Sequence, residues 1–145
     1  EFERVLRKLA LDIVRDGEGA TKLVEIIVVG AASDEDAVKA AKTIALSPLV
    51  KTAIHGEDAN WGRIIAAVGY SGIEFDPDKC EIIINDVPIL QRDYVVTLSN
   101  QEANKSLKGD FIELVVKLHG GSGKATVWTC DFSEQYVVIN GSYRS

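Results

Sequence analysis

Apolar residues recur along this chain first at helical spacing, then in short alternating runs, and the changeover orders its elements. Phe2, Val5, Leu6, Leu9 and Ile13 follow the i, i+3, i+4, i+7 rhythm of an amphipathic helix, with Arg4, Arg7, Lys8 and Asp12 outside the stripe. Asp16–Gly17 supplies a glycine stop. The β-branched run from Leu23 to Val29 predicts a buried strand ended by Gly30. Ser33, with Asp36 behind it, is an N-cap signal for a second helix. The narrow stripe of that helix, Ala37, Val38, Ala41, Ile44 and Ala45, suits close packing on a sheet. Pro48 closes it, and Leu49 to Ile54 predicts a short strand.

The stretch from Gly56 to Gly72, GEDANWGRIIAAVGYSG, is polar in its first half and apolar at helical spacing in its second. Asn60 is the expected N-cap, with Trp61, Ile64, Ile65, Val68 and Tyr70 on one face. Glycine inside a helix costs about 1 kcal/mol against alanine, so Gly62 and Gly69 call for a reason. Two readings stay open: tight packing against a sheet, or a pocket for a charged small molecule lined by Asp58, Asn60 and Arg63.

After the turn signal Asp76-Pro77-Asp78 the runs shorten. Ile82 to Ile84 predicts a strand, Asn85-Asp86 a turn, and Pro88 an edge or a bend. Val95 to Leu98 fits either a strand or a connection. Asn100 to Lys108 reads as a short surface helix, and Phe111 to Leu118 as a strand. Gly120-Gly121-Ser122-Gly123 is a loop, Ala125 to Cys130 is expected to pair with the preceding strand as a long hairpin, and Tyr136 to Ile139 is expected to be a last strand. The fold class is α/β (α+β), a mixed sheet with helices packed on it.

Composition narrows the function. The 145 residues suit one domain, and 46% hydrophobic with 26% charged residues is ordinary for a globular protein. No apolar run is long enough for a membrane span. A net charge of −6 argues against holding nucleic-acid phosphates. Cys80 and Cys130 each sit in an apolar run, match no zinc spacing, and read as buried free thiols of a reducing compartment. Glu1 opens inside a helical pattern and the chain contains no methionine, so a processed or truncated piece of something longer is expected.

Several chemical motifs fail on spacing. Gly120-Gly121-Ser122-Gly123-Lys124 lacks the P-loop frame and joins two strands rather than a strand and a helix. His55 and His119 have no matched ligand spacing, so no metal site is expected; His55, before Gly56, is either a pocket residue or, the better reading, a hydrogen-bonded structural histidine. Glu18, alone between Gly17 and Gly19 at a helix–strand junction, is either solvated or presented to a cationic ligand. The short C-terminal tail, from Asn140 to Ser145, is either frayed or held against the body.

DGEGATKL (Asp16 to Leu23), SPLVKTAI (Ser47 to Ile54), GEDANWGRI with AAVGYSG, FDPDK (Phe75 to Lys79) and YVVINGSYRS (Tyr136 to Ser145) together resemble the C-terminal part of the ornithine acetyltransferases. These are the bifunctional glutamate N-acetyltransferases of arginine biosynthesis. The resemblance spans essentially the whole chain, and GEDANWGR is its most specific stretch. It implies a C-terminal lobe of an N-terminal-nucleophile-like fold, with residues 1–20 a helix and junction continuing from an upstream domain and 21–145 the lobe itself. It implies a precursor that cuts itself before a threonine, which then carries acetyl from N-acetylornithine to glutamate. Acetyl-CoA stays open as a second donor.

That threonine follows an alanine and precedes small or apolar residues. Thr21 precedes Lys22 and Thr126 lies mid-strand, so neither fits, and no catalytic residue is expected here. The resemblance places substrate binding in this chain instead, at Glu18, Asn140 and Ser145. It implies no cofactor. Its partners are the upstream, nucleophile-bearing part of the same precursor and the ligands N-acetylornithine, ornithine and glutamate, with no nucleic acid or membrane, in a higher oligomer. The setting is cytoplasmic in a bacterium, or the mitochondrial matrix or plastid in a eukaryote. A different class, a non-catalytic small-molecule-binding or regulatory α/β module, fits the acidic, nucleophile-free chain as an alternative.

Overall fold

The computed structural model describes residues 1–17 and 19–142, apart from the side chains of Ala10, Asn140 and Ser142. Helix α1 (Phe2–Arg15) leads through a glycine junction into β1 (Leu23–Ala31), which runs on through Gly30. Helix α2 (Asp34–Leu46) is capped by the Ser33 side chain, which accepts from the Asp36 amide as the sequence predicts. Helices α3 (Pro48–His55) and α4 (Trp61–Tyr70) follow, then β2 (Glu81–Ile84), β3 (Val87–Leu90), α5 (Asn100–Asn104), β4 (Phe111–Lys117), β5 (Gly123–Cys130) and α6 (Glu134–Ser142).

Among the described residues the strands form one five-stranded sheet in the order β3-β2-β4-β1-β5. β1 runs parallel to β4 and antiparallel to β5; β2 runs antiparallel to β3 and β4. Pro88 sits on the edge strand β3, where a missing N–H costs nothing to the ladder. Val24, Ile26 and Val28 of β1, Ile112, Leu114 and Val116 of β4, and Ile82 and Ile84 of β2 share one buried face. Ala37, Ala40, Ala41 and Ile44 of α2, with Ile64 and Val68 of α4, complete that core.

Three local expectations are corrected. Leu49 to Ile54 is helix, not strand: Ser47 accepts from the Val50 amide and Pro48 occupies the first turn, so the pair starts a helix, and Val50, Ala53 and Ile54 are buried at helical spacing. Tyr136 to Ile139 also lies in a helix, α6, whose first turn gives the Tyr136 amide to the Ser133 hydroxyl. The third concerns β5, which pairs with β1 rather than with β4. Leu118 N–H donates to Val29 O at 2.9 Å and Gly120 N–H to Gly30 O at 2.7 Å, which carries the chain past the end of β1 to its far side.

The glycines of α4 are not there for tight packing. A β-carbon on Gly69 would find nothing within 4 Å, and one on Gly62 would touch only the Asn60 side chain. Tyr70 is 87% exposed, so the buried stripe is Ile64, Ala67 and Val68. Val95 to Leu98 is a connection, bridged once to Gln91.

Glu25 alternates with Val24 and Ile26 and so faces the sheet's other side. There it accepts from Arg7 of α1 at 2.8 Å and from the Trp128 indole at 3.0 Å, while the Arg7 guanidinium lies over the Trp128 ring. The apolar stripe of α1 is not buried by this contact: Phe2 and Ile13 are 78% and 74% exposed.

Candidate functional site at the α1–β1 junction

The junction between α1 and β1 is held by one carboxylate. Asp131 follows β5 directly and is almost fully buried. One oxygen accepts from the amides of Thr21 and Lys22, both at 2.8 Å; the other accepts from the Thr21 hydroxyl and from His55 Nδ1, the latter at 2.7 Å. An ionised carboxylate has no proton to give, so the His55 Nδ1 carries one and donates it. Burial alone would push the Asp131 carboxyl up. The bonds from Thr21, Lys22 and His55 outweigh burial and hold it below the usual carboxylate range.

This geometry is not a nucleophile relay, in which the imidazole stands between hydroxyl and carboxylate. Here hydroxyl and imidazole both donate to the same carboxylate oxygen, and Thr21 is spent on structure. His55 is the hydrogen-bonded histidine that the sequence suggests.

Lys22 is the second anchor. Its side chain is 8% exposed, and its ammonium donates to Leu107 O at 2.8 Å and Gly109 O at 2.6 Å, with Glu57 at 3.3 Å. A buried cation is tolerated only with such partners. Beside it opens a cleft of about 330 Å³ lined by Arg15, Ala20, Thr21, Lys22, Leu23 and Asp110.

The junction also touches α6. The Ser133 hydroxyl donates to Gly19 O and accepts from the Tyr136 amide at 3.3 Å. Gly19 adopts φ +68°, and a β-carbon there would come 2.6 Å from the Tyr136 nitrogen. Only glycine fits both the dihedral and the space. Phe132, between Asp131 and Ser133, stacks on Tyr136 with ring centroids 4.6 Å apart, and the Lys51 ammonium lies over its ring.

Of the residues singled out from the sequence, Glu18 and Ser145 lie outside the described residues, as does the side chain of Asn140, whose backbone belongs to α6. Gly19, next to position 18 in sequence, lies against the start of α6 at Tyr136. Asp131, Ser133 and Lys22 are missed by sequence reasoning. Only Ser133, three residues before Tyr136, carries a readable signal, that of an N-cap.

The Asp58–Asn60–Arg63 group does not converge. Asn60 donates to Asp58 at 3.1 Å and accepts from the Arg63 amide at 3.1 Å, while the Arg63 guanidinium turns away to Leu49 O at 2.8 Å. An open cleft of about 280 Å³ lies beside Asp58 and Asn60 without Arg63 in its lining. Among the described residues no group of three His, Cys, Asp or Glu side chains is placed to hold a metal ion, and no helix is long and apolar enough to cross a membrane.

Fold and junction define a mixed α/β protein whose candidate site lies where α1, β1 and α6 meet. The ArgJ family model matches residues 1–145, and the chain belongs to that family. It is 58% identical to the arginine biosynthesis bifunctional protein ArgJ of Chlorobium chlorochromatii over 137 residues, which cover 94% of this chain and 32% of the relative. The protein of the same description from Brucella melitensis is 50% identical over 143 residues, 98% of this chain and 35% of the relative. The crystal structure of arginine biosynthesis bifunctional protein argJ from Bacillus halodurans superimposes with a TM-score of 0.91 at 46% identity, over 98% of this chain and 69% of that one. The chain therefore spans about a third of the length of the curated relatives it matches.

Proposed function

We propose that this chain is the C-terminal part of an acetyltransferase that moves acetyl from N-acetylornithine to glutamate, and that it supplies substrate-binding residues while the upstream part supplies the threonine nucleophile. The observation that supports the reading is the hydrogen bond from the Ser133 hydroxyl to Gly19 O, which ties the residue after position 18 to the start of α6. The family resemblance marks residues on both of these segments for substrate.

In this reading Glu18 holds a substrate ammonium, since ornithine carries two and a carboxylate–ammonium hydrogen bond is the stronger, charge-assisted kind. Asn140 and Ser145 bind the same substrate. The chain has no nucleophile of its own, so alone it turns nothing over. Residues 1–20 continue from an upstream domain and 21–145 form the lobe, a division supported by the exposed apolar stripe of α1. Self-cleavage of the precursor, a higher oligomer and a cytoplasmic setting belong to the same reading, and the bacterial origin of the matched relatives favours a bacterial host over an organelle.

The test is Glu18→Gln in the complete protein. Transfer from N-acetylornithine to glutamate should lose about 2–3 kcal/mol of transition-state binding, or about 30- to 150-fold in kcat/KM. Self-cleavage and melting temperature should hold. Wild-type kinetics would leave Glu18 a solvated side chain, and a collapse of melting temperature would make it structural.

A further inference from the structure

Two lysines are buried to the same extent, 8% exposed, and only one of them has its charge met. Lys22 spends its ammonium on two carbonyls and Glu57. The Lys51 ammonium has the face of the Phe132 ring, 4.1 Å to the centroid, and among the described residues no carboxylate, carbonyl or hydroxyl accepts from it. A ring face offsets only part of the cost of burying an ammonium, whose three N–H groups each want an acceptor. The one carboxylate of the facing segment, Asp131, is already taken by Thr21, Lys22 and His55. Among the described residues no side-chain nitrogen or oxygen is both unbonded and sealed from solvent, so the Lys51 ammonium keeps an opening. Lys51 stands one turn before His55 on α3, and its carbonyl accepts from the Phe132 amide at 3.3 Å. His55 meets Asp131 and Thr21, and Phe132 stacks on Tyr136 of α6. The unmet charge therefore lies beside the α1–β1 junction.

We infer that Lys51 is a specificity-determining residue of the proposed transfer: its ammonium receives the side-chain carboxylate of glutamate. The inference rests on the reading of this chain as part of an acetyltransferase that serves ornithine and glutamate. These amino acids share their α-amino and α-carboxyl ends and differ in the sign of the side chain, an ammonium in ornithine and a carboxylate in glutamate. One threonine carrying acetyl from one to the other means one pocket for both. Groups that suit the ammonium repel the carboxylate, so such a pocket needs a cation as well. A buried ammonium with no acceptor and an opening to solvent meets that need. Its bond to a carboxylate is charge-assisted, and the neutral amide of glutamine does not replace it.

The experiment measures KM for N-acetylornithine, for glutamate and for glutamine as an alternative acceptor in the complete protein, wild type and Lys51→Met, with a melt on each. Methionine keeps the apolar stem and discards the charge. KM for glutamate should rise about 10- to 100-fold, while KM for glutamine and for N-acetylornithine stays within about 2-fold. The preference for glutamate over glutamine falls by the same factor. Melting temperature should hold or rise, since a buried charge without an acceptor is removed. Lys51→Gln, equally uncharged, should repeat the pattern. An unchanged glutamate KM beside an active wild type would overturn the inference alone and leave Lys51 a stem packed on Phe132. An equal rise for all three substrates, or a lowered melting temperature with the preference intact, would make Lys51 structural and overturn it too. A wild type that moves no acetyl from N-acetylornithine to glutamate would overturn the underlying reading.

Discussion

Gly30 and His119 meet backbone to backbone: a β-carbon on Gly30 would lie 2.6 Å from the His119 nitrogen. The contact exists because the β4–β5 connection crosses the end of β1, with Gly120 N–H donating to Gly30 O. Gly30 also adopts φ +81°, where a side chain is strained in any surroundings.

Alanine should therefore act in opposite directions at two glycines. Gly30→Ala is expected to cost about 2–4 kcal/mol, from the dihedral and the clash together. Gly69→Ala, in the exposed part of α4 with open space around it, should gain about 0.5–1 kcal/mol from helix propensity and a less flexible unfolded chain. Urea denaturation of both variants decides; equal effects would mean that the crossing is not tightly closed.

Asp131 gives the fold a defined sensitivity to acid. Its carboxyl is held below the usual range despite burial, so its stabilising contribution is complete above the unfolded value of about 3.9 and drains away as pH falls from there toward the lower folded value. Asp131→Asn should cost about 2–3 kcal/mol at neutral pH, because donors at Thr21 and His55 lose their acceptor. Urea melts across the pH range should show that gap narrowing only below about 3.9. A stabilised Asn variant at pH 7 would mean that burial outweighs the hydrogen bonds.

The two cysteines should differ in reactivity. Cys80 is 1% exposed, and burial, with the neighbouring Glu81 carboxylate second, pushes its thiol up to about 11. At pH 8 roughly a thousandth of it is thiolate, the species that alkylates. Cys130 is half-buried at the end of β5. Iodoacetamide on the native chain should label Cys130 first and Cys80 only on unfolding, which peptide mass mapping would report. Prompt double labelling would show that the core around Cys80 opens.

For the tail, deletion of Tyr143 to Ser145 from the complete protein should cost about 1–3 kcal/mol of substrate binding, the worth of one or two hydrogen bonds whose partners stay unsatisfied. Melting temperature should be unaffected. Unaltered kinetics would return the tail to a plain chain end.

Much of the fold was legible wherever one local signal stood unopposed. The stripe of α1, the Ser33 cap of α2, the Asn60 cap of α4 and the β-branched run of β1 are each stated by a few neighbouring residues. Leu49 to Ile54 and Tyr136 to Ile139 failed because short apolar runs suit a strand and a buried helix turn equally; Ser47-Pro48 and Ser133 held the missing information. The partner of β5 was illegible for another reason: adjacency in sequence favours a hairpin, and only the loop's bonds to β1 overrule it. The junction fared similarly. DGEGATKL drew attention to this junction through its glycines, whereas Asp131 and His55 become meaningful only once folding brings them to Thr21.

The position of β1 has a consequence for how the protein is made. Leu23 leaves the ribosome well before its sheet partners, Phe111 and Cys130. At about 5–20 residues per second, β1 waits several seconds for either neighbour, an apolar strand with both edges bare. During that interval α1, α2 and the helices after it are among the elements that can shield it. The segment that finally seals its outer edge is β5, and the next three residues pin the junction. Completion of the sheet and setting of the junction thus fall at the same moment, when β5 has emerged.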